Sequence, residues 1–399
     1  MDDTKGSAGR LREVAGRFVR NAREAALVAA VFVLLISLGF VGGLTVLARP
    51  DPPNAVWHGA PVPASASTSA PSPTPSGPTV TLSATGDIIM GDAPDKLPPD
   101  GGTGMFAAVR PALAADLVMG NLEEPLTEET GFVKCKPEAK GCNQFRVPPE
   151  YAEHLTDAGF QVLNLANNHA YDYGATGYRN TREALEKHGL QHTGGRDQIT
   201  VRKIRGMSVA VLGFSSYSYS NSLLNLERAK SVVAEAAGQV DLVVVQAHMG
   251  AEGADKAHVR PGIERFLGEN RGDPMAFSHA VVDAGADLVV GHGPHILRGM
   301  EFYRGRLIAY SLGNFCGAGN TLSSTGNLGL SGVLKVSLGA DGSWAGGSFT
   351  STTYQGNGGL PRMDTGRRAA ALVGSLSSAD FPITGAKIGE TGEISPPSG

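Results

Sequence analysis

The stretch "NLANNHAYDYG", residues 164–174, decides how this chain is read. The run before it, Phe160 to Ala166, has the apolar character of a buried strand. It stops in Asn167-Asn168-His169, with Asp172 three residues further on. A plain turn calls for Asn, Asp or Gly, and has no need of His. The question is whether other strands end in the same way.

Four more do. "TVTLSATGD" (79–87) ends at Gly86-Asp87, and "ADLVMGNLEEP" (115–125) runs into Gly120-Asn121-Leu122-Glu123. "DLVVVQAHMG" (241–250) ends at His248, with Glu252 just beyond, and "ADLVVGHGPH" (286–295) ends in Gly291-His292-Gly293-Pro294-His295. Helical spacing occupies 149–160, 176–190, the region near 227–238, and 274–285. Strands alternating with helices predict an α/β sheet covered on both faces. The late apolar runs at 306–315, 331–339 and 344–352 follow one another without helices, so part of the sheet is expected to be antiparallel. In open α/β sheets, ligands bind beyond the carboxyl ends of the strands. The five tips span roughly 200 residues of sequence and are therefore expected to converge.

Their chemistry agrees with that placement. Imidazole, carboxylate and amide carbonyl groups together suit Zn, Mn or Fe. His292 and His295 lie three apart on a Gly/Pro turn that can aim both rings at one point. Any one tip alone reads as an ordinary turn or a structural histidine. Five in order read as one polar site.

The ordered set "ATGDIIMGD", "GNLEEPLT", "LANNHAYDYG", "QAHMGAE", "GADLVVGHGPHILRG" and "IAYSLGNF" resembles the bacterial capsule synthesis protein CapA family, the poly-γ-glutamate capsule group, over about 80–318. That family is similar to calcineurin-like metallophosphoesterases, so the resemblance implies a four-layer α/β/β/α sandwich. It also implies metal ligation by Asp87, Asn168, His248, His292 and His295, with His169 as acid or transition-state stabiliser. Two positions depart from the pattern. The first strand should read Asp-x-His, and here it reads Asp87-Ile88-Ile89. The bridging aspartate of a Gly-Asp pair falls on Gly120-Asn121, which leaves Glu123 to supply the carboxylate. One divalent ion fits these departures better than two. Asp172 is expected to orient a histidine, or else to cap its turn. Asn121, Glu252 and Arg298 are candidates to face substrate, Glu252 reading equally as a loop charge and Arg298 as a surface residue.

The ends of the chain set the context. Residues 25–48 carry no charged side chain, and 24 helical residues span about 36 Å against a hydrocarbon core of about 30 Å. Six basic residues precede them, from Lys5 to Arg23, against four acids, which predicts a cytoplasmic tail (1–24) and an outward-facing remainder. The competing reading is a signal peptide cut after Val46-Leu47-Ala48, although its apolar core would be unusually long. Residues 49–78 are rich in Pro, Ser and Thr and read as a stalk. The globular domain is expected over 79–355, and the Gly/Ser/Pro-rich stretch 356–399 as a flexible tail with one weak helical patch. Cys135 and Cys142 enclose a short polar loop that suits a disulfide outside the cell, a metal clip being the weaker alternative; Cys316 reads as a small, partly buried residue rather than a nucleophile.

A formal net charge of −4 gives no nucleic-acid footprint. The resemblance and the anchor together imply a membrane protein that works on an anionic capsule polymer beside membrane-embedded synthase subunits. A surface phosphoesterase for a small or lipid-linked phosphate, and a polymer-binding module that has lost catalysis, are the alternatives.

Overall fold

The computed structural model describes residues 77–132, 134–135 and 141–398. The expected tail, anchor and nearly all of the stalk lie outside these residues. Among the described residues, no helix is long and apolar enough to cross a membrane.

The chain forms two large sheets. In the first, Thr79–Ile89, Leu117–Leu122, Val162–Asn164 and Gln191–Thr193 lie side by side and parallel. Leu330–Gly339 and Trp344–Thr353 extend this sheet antiparallel on the other flank of the first strand. In the second, Met207–Ser215, Leu242–His248, Leu288–His292 and Arg306–Ala309 are parallel neighbours. Thr200–Ile204 and Met300–Tyr303 close its two edges antiparallel. Parallel strands are buried on both faces, which is why these segments read as continuous Val/Leu/Ile runs.

Three apolar clusters define the layers. Leu82, Met119 and Val162 of the first sheet pack with Val211, Val244 and Val290 of the second, so the sheets stack face to face. Truncating a residue here, such as Leu82→Ala, would cost about 2–5 kcal/mol. Leu122 and Leu163 face outward onto the helices Ala152–Ala158 and Gly174–Lys187 through Leu155, Ala184 and Leu185. Val243, Val245 and Val289 do the same against Leu226–Ala237 and Pro274–Asp283, through Val233 and Phe277. The result is an α/β/β/α sandwich. The two helices on the second sheet start where side chains can cap them: Asn225 accepts from the Arg228 amide (3.0 Å) and Asp273 from the Ala276 amide (2.9 Å).

Two expectations change. The run at 306–315 is not one strand. It leaves the second sheet after Ala309, turns at Gly313, and Asn314–Gly317 joins the first sheet parallel to the first strand. Gly313 has φ of 65°, and its carbonyl accepts the Asp87 amide at 2.9 Å. A Cβ on Gly86 would run into that carbonyl, so the close crossing of the chain requires glycine at this position. The stretch 356–398 is not a flexible tail. It forms the helix Arg368–Asp380 and the strands Lys387–Ile388 and Glu393–Ser395, the latter pairing with Trp344–Thr353. Its composition is rich in small residues, but Ala369, Ala370 and Val373 reach the core between the sheets, where small side chains permit close packing.

Candidate functional site

Strand register brings the polar tips together. Asp87 is opposite Asn121, Asn121 is opposite Asn164, and Asp87 is also opposite Asn314 on its other side. In the second sheet His248 is opposite His292. Apart from Asn314, which opens its strand, these residues lie at or near carboxyl ends of parallel strands, and the two sets meet across the sandwich.

Asp87 is fully buried. Its carboxylate lies 3.5 Å from His292 Nδ1 and 3.2 Å from His295 Nδ1. Glu123, equally buried, lies 3.1 Å from His248 Nε2 and 3.7 Å from His295 Nε2. Ligand atoms of Asp87, Glu123 and His295 all fall within 4.8 Å of one another. His295 adopts a left-handed φ of 57°, and its Nδ1 also lies 2.7 Å from Asn314 Oδ1. Glu252 Oε2 stands 3.6 Å from His295 Nε2. Gly293 must be a glycine here: a Cβ would sit 2.9 Å from the His248 ring, and its φ is 104°.

Asn121 organises the carboxylates. Its Nδ2 donates to Asp87 Oδ1 (2.8 Å) and Glu123 Oε2 (3.3 Å), while its Oδ1 accepts from Asn164 (2.9 Å) and Asn167 (3.1 Å). Both donors and both acceptor sites of the amide are used. An aspartate there would face two carboxylates with no proton to offer. The neutral residue is therefore a spacer between Asp87 and Glu123, fully buried and spent on protein partners.

The electrostatics follow from burial and pairing. Burial would push Asp87 up, but the imidazoles of His292 and His295 facing its carboxylate outweigh it and hold the carboxyl well below its usual range. Burial, aided by the Asp87 charge, pushes Glu123 well up. Burial would lower His295, yet Glu123, Asp87 and Glu252 raise it to about 10. Burial drives His248 well down, to a neutral ring.

A second group adjoins the first. His169 is 5% exposed, and its Nδ1 lies 2.7 Å from Asp172 Oδ2. Asp172 also accepts from the Phe145 amide (2.8 Å) and from the Lys134 ammonium. Lys134 reaches the Asn168 carbonyl at 3.2 Å as well. Phe145 lays its ring against His169, centroids 4.7 Å apart. Burial lowers His169, with the Asp172 carboxylate opposing it. Lys134 adjoins Cys135, which is disulfide-bonded to Cys142, and the backbone amides of both Lys134 and Cys135 donate to Gln144 Oε1. The bridge thus ties together the two chain segments that carry Lys134 and Phe145.

The donor set fits a divalent cation. Two buried carboxylates face imidazoles, and His248 Nδ1, His292 Nδ1 and Asn168 Oδ1 are buried with no hydrogen-bond partner among the described residues. Unpaired buried groups of this kind are costly unless something else satisfies them. Asp87, Glu123 and His295 would hold the ion, with the imidazoles of His248 and His292 beside them.

Arg298 corrects an expectation. It is 1% exposed, and its guanidinium donates to Glu264 (2.8 and 2.9 Å) and to the carbonyls of Lys256 (2.8 Å) and Ala251 (3.3 Å). It is not the surface residue of the alternative reading: it braces the loop after His248, and all three of its nitrogens are engaged by protein partners. Sequence reasoning assigned no role to Asn164, Asn167, Asn314 or Lys134. The asparagines carried a signal, being amides at the ends of apolar runs. Lys134 carried none, because only the folded loop delivers it.

Fold and site together define a two-sheet α/β/β/α protein with a candidate metal centre at its strand tips. The family described as bacterial capsule synthesis protein PGA_cap matches residues 81–318, and the chain belongs to that family. It is 33% identical over 255 residues to the PGA biosynthesis protein CapA of Bacillus subtilis (strain 168), covering 59% of this chain and 63% of that protein. It is 32% identical over 260 residues to the capsule biosynthesis protein CapA of Bacillus anthracis, covering 59% of each. The match thus spans about six-tenths of these curated relatives. Among solved structures, a 5'-nucleotidase precursor from Thermus thermophilus aligns with a TM-score of 0.37 at 14% identity, over 76% of this chain and 59% of that one. A purple acid phosphatase from yellow lupin seeds aligns at 0.37 and 10%, over 71% and 53%.

Proposed function

We propose that this protein is a membrane-anchored, outward-facing accessory protein that takes part in making, exporting or attaching an anionic capsule polymer of poly-γ-glutamate type, using metal-assisted hydrolysis. The observation that carries this reading is the meeting of Asp87, Glu123, His248, His292 and His295 at one point, within a chain of the capsule synthesis family. Its partners would be the polymer, membrane-embedded synthase subunits and the bilayer itself. Mn, Zn and Fe all suit the donors.

A divalent ion bound here would supply Lewis-acid polarisation of a carbonyl or phosphoryl oxygen and acidify water. The chain's own residues do the rest. Asp172 holds the Nδ1 side of His169 and fixes the ring, which leaves Nε2 for the reacting group. With its pKa lowered, His169 is neutral near pH 7 and accepts a proton at Nε2. Once protonated, a low-pKa imidazolium is the stronger acid and passes that proton to a leaving group. Phe145 covers the ring and limits water at that face.

Asn121 favours a second reading. A neutral spacer where a bridging carboxylate would hold a second cation suits a polymer-binding module without turnover.

The test is the metal content of the full-length protein beside a His292→Ala/His295→Ala variant. The expected result is about one equivalent of Mn, Zn or Fe, lost in the variant, with hydrolysis of γ-linked glutamate polymer or of phosphodiesters by the loaded protein. No metal uptake from excess Mn or Zn would overturn the hydrolytic reading. Metal uptake without turnover would favour the binding module.

A further inference from the structure

Arg271 lies beside the centre and is spoken for at only two of its three nitrogens. The residue is 3% exposed. Its Nη2 donates to Glu252 Oε1 at 2.9 Å, and its Nε to Glu269 Oε2 at 3.0 Å. Nη1 is buried and has no hydrogen-bond partner among the described residues. The backbone places it against the site: the Arg271 carbonyl accepts the Gly250 amide (2.9 Å), two residues past His248. Glu252 links it onward, since its other oxygen stands 3.6 Å from His295.

The guanidinium is also held on its faces. Its carbon lies 5.7 Å from the Tyr217 ring centroid and 5.5 Å from that of Phe266. Tyr217 in turn donates its hydroxyl to Glu269 at 2.7 Å. A planar cation between two rings and two carboxylates has little freedom left to lose on binding. An arginine kept rigid and buried, with one NH₂ group unanswered, is suited to recognise an oxyanion.

We propose that Arg271 is the substrate-recognition residue of this centre, its Nη1 donating to an anionic oxygen of the substrate, either a free α-carboxylate of the γ-linked polymer or a phosphoryl oxygen. This inference rests on the reading of the site as one for an anionic substrate. It gives Arg271 the role that the sequence suggested for Arg298, whose guanidinium is already engaged by Glu264 and two backbone carbonyls.

Calorimetric titration of the full-length protein with a γ-linked glutamate oligomer, and separately with inorganic phosphate, tests it. Arg271→Met is expected to weaken binding of the preferred probe about 10- to 100-fold, the range for a charged hydrogen bond. Arg271→Lys keeps the charge without the planar edge and is expected to recover only part of the loss. It also serves as the readable variant if the methionine protein does not fold, which thermal unfolding reports. Wild-type affinity in both variants would overturn the role of Arg271 and leave the polymer reading standing. Loss confined to phosphate, with no oligomer binding by the wild type, would support Arg271 and sink the polymer reading. If the wild type binds neither probe, both fail.

Discussion

Asp87, Asn121, His248 and His292 are held by strand register, whereas His169, Asp172, Lys134 and Phe145 are held by loops and side-chain hydrogen bonds. The two banks face one centre but are built on different physics. A residue on a central parallel strand has its direction set by the alternation of the backbone and by ladders on both sides. A loop residue has only its own contacts. The strand bank should therefore tolerate changes in the loop bank, while damage to the strand bank should reach the fold itself.

The largest effect expected is at Asp87. Asp87→Ala removes the acceptor of Asn121 and the carboxylate that faces His292 and His295. Breaking one partner out of a buried pair costs about 3–5 kcal/mol. Denaturant unfolding of the metal-free protein should show that loss, and metal titration should show little uptake. A cost below about 1 kcal/mol would mean that the two banks are not distinguished by their link to the fold.

His169→Asn is the counterpart in the loop bank. If His169 moves protons, turnover should fall about 10²–10⁴-fold. Metal stoichiometry should stay unchanged, and stability should change little. Loss of metal in this variant would break the comparison, because His169 would then belong with the ligands.

Asn121→Asp gives a smaller and sharper test. The substitution replaces two donated hydrogen bonds by a third carboxylate, at a cost of about 1–3 kcal/mol in the metal-free protein. Added Mn should recover part of it, since a cation would satisfy the new charge. If stability is unchanged without metal, Asn121 is not the spacer that its hydrogen bonds describe.

The same contrast explains what could be read in advance. The tips "GD", "GNLE", "NNH" and "GHGPH" were legible because an apolar strand that stops in ligand-type residues is a local pattern, and parallel α/β topology carries such ends to one place. The crossing at Gly313 was hidden inside one continuous apolar run. Arg271 and Arg298 could not be told apart by sequence: each is an arginine in a polar loop, and only partner geometry separates the one with a nitrogen unanswered from the one engaged at all three. The helical patch at Arg368–Asp380 was legible, but its docking was missed, because alanine and glycine look featureless until the surface they pack against is known.

The smallest effect expected lies outside both banks and calibrates them. Glu301, on the second sheet's edge strand, accepts from Tyr310 (2.5 Å) and Thr384 (2.8 Å) and lies 2.7 Å from His279 Nε2. Thr384 belongs to the C-terminal segment, and its carbonyl also accepts the Phe302 amide at 2.8 Å. Burial would raise the Glu301 carboxyl, but His279, Tyr310 and Thr384 together bring it below the ordinary 4.5. The folded chain then binds fewer protons here than the unfolded chain as acid is added. The stabilisation is complete above about 4.5 and is lost as pH falls through the depressed value. Glu301→Gln should flatten that acid limb while changing stability at pH 7 by only about 0.5–1.5 kcal/mol, the scale of a neutral hydrogen bond. Urea midpoints between pH 3 and 7 measure both. An acid limb as steep as the wild type's would place the acid sensitivity elsewhere among the buried carboxylates, with Asp87 the next residue to examine, since its carboxyl is held low in the same direction.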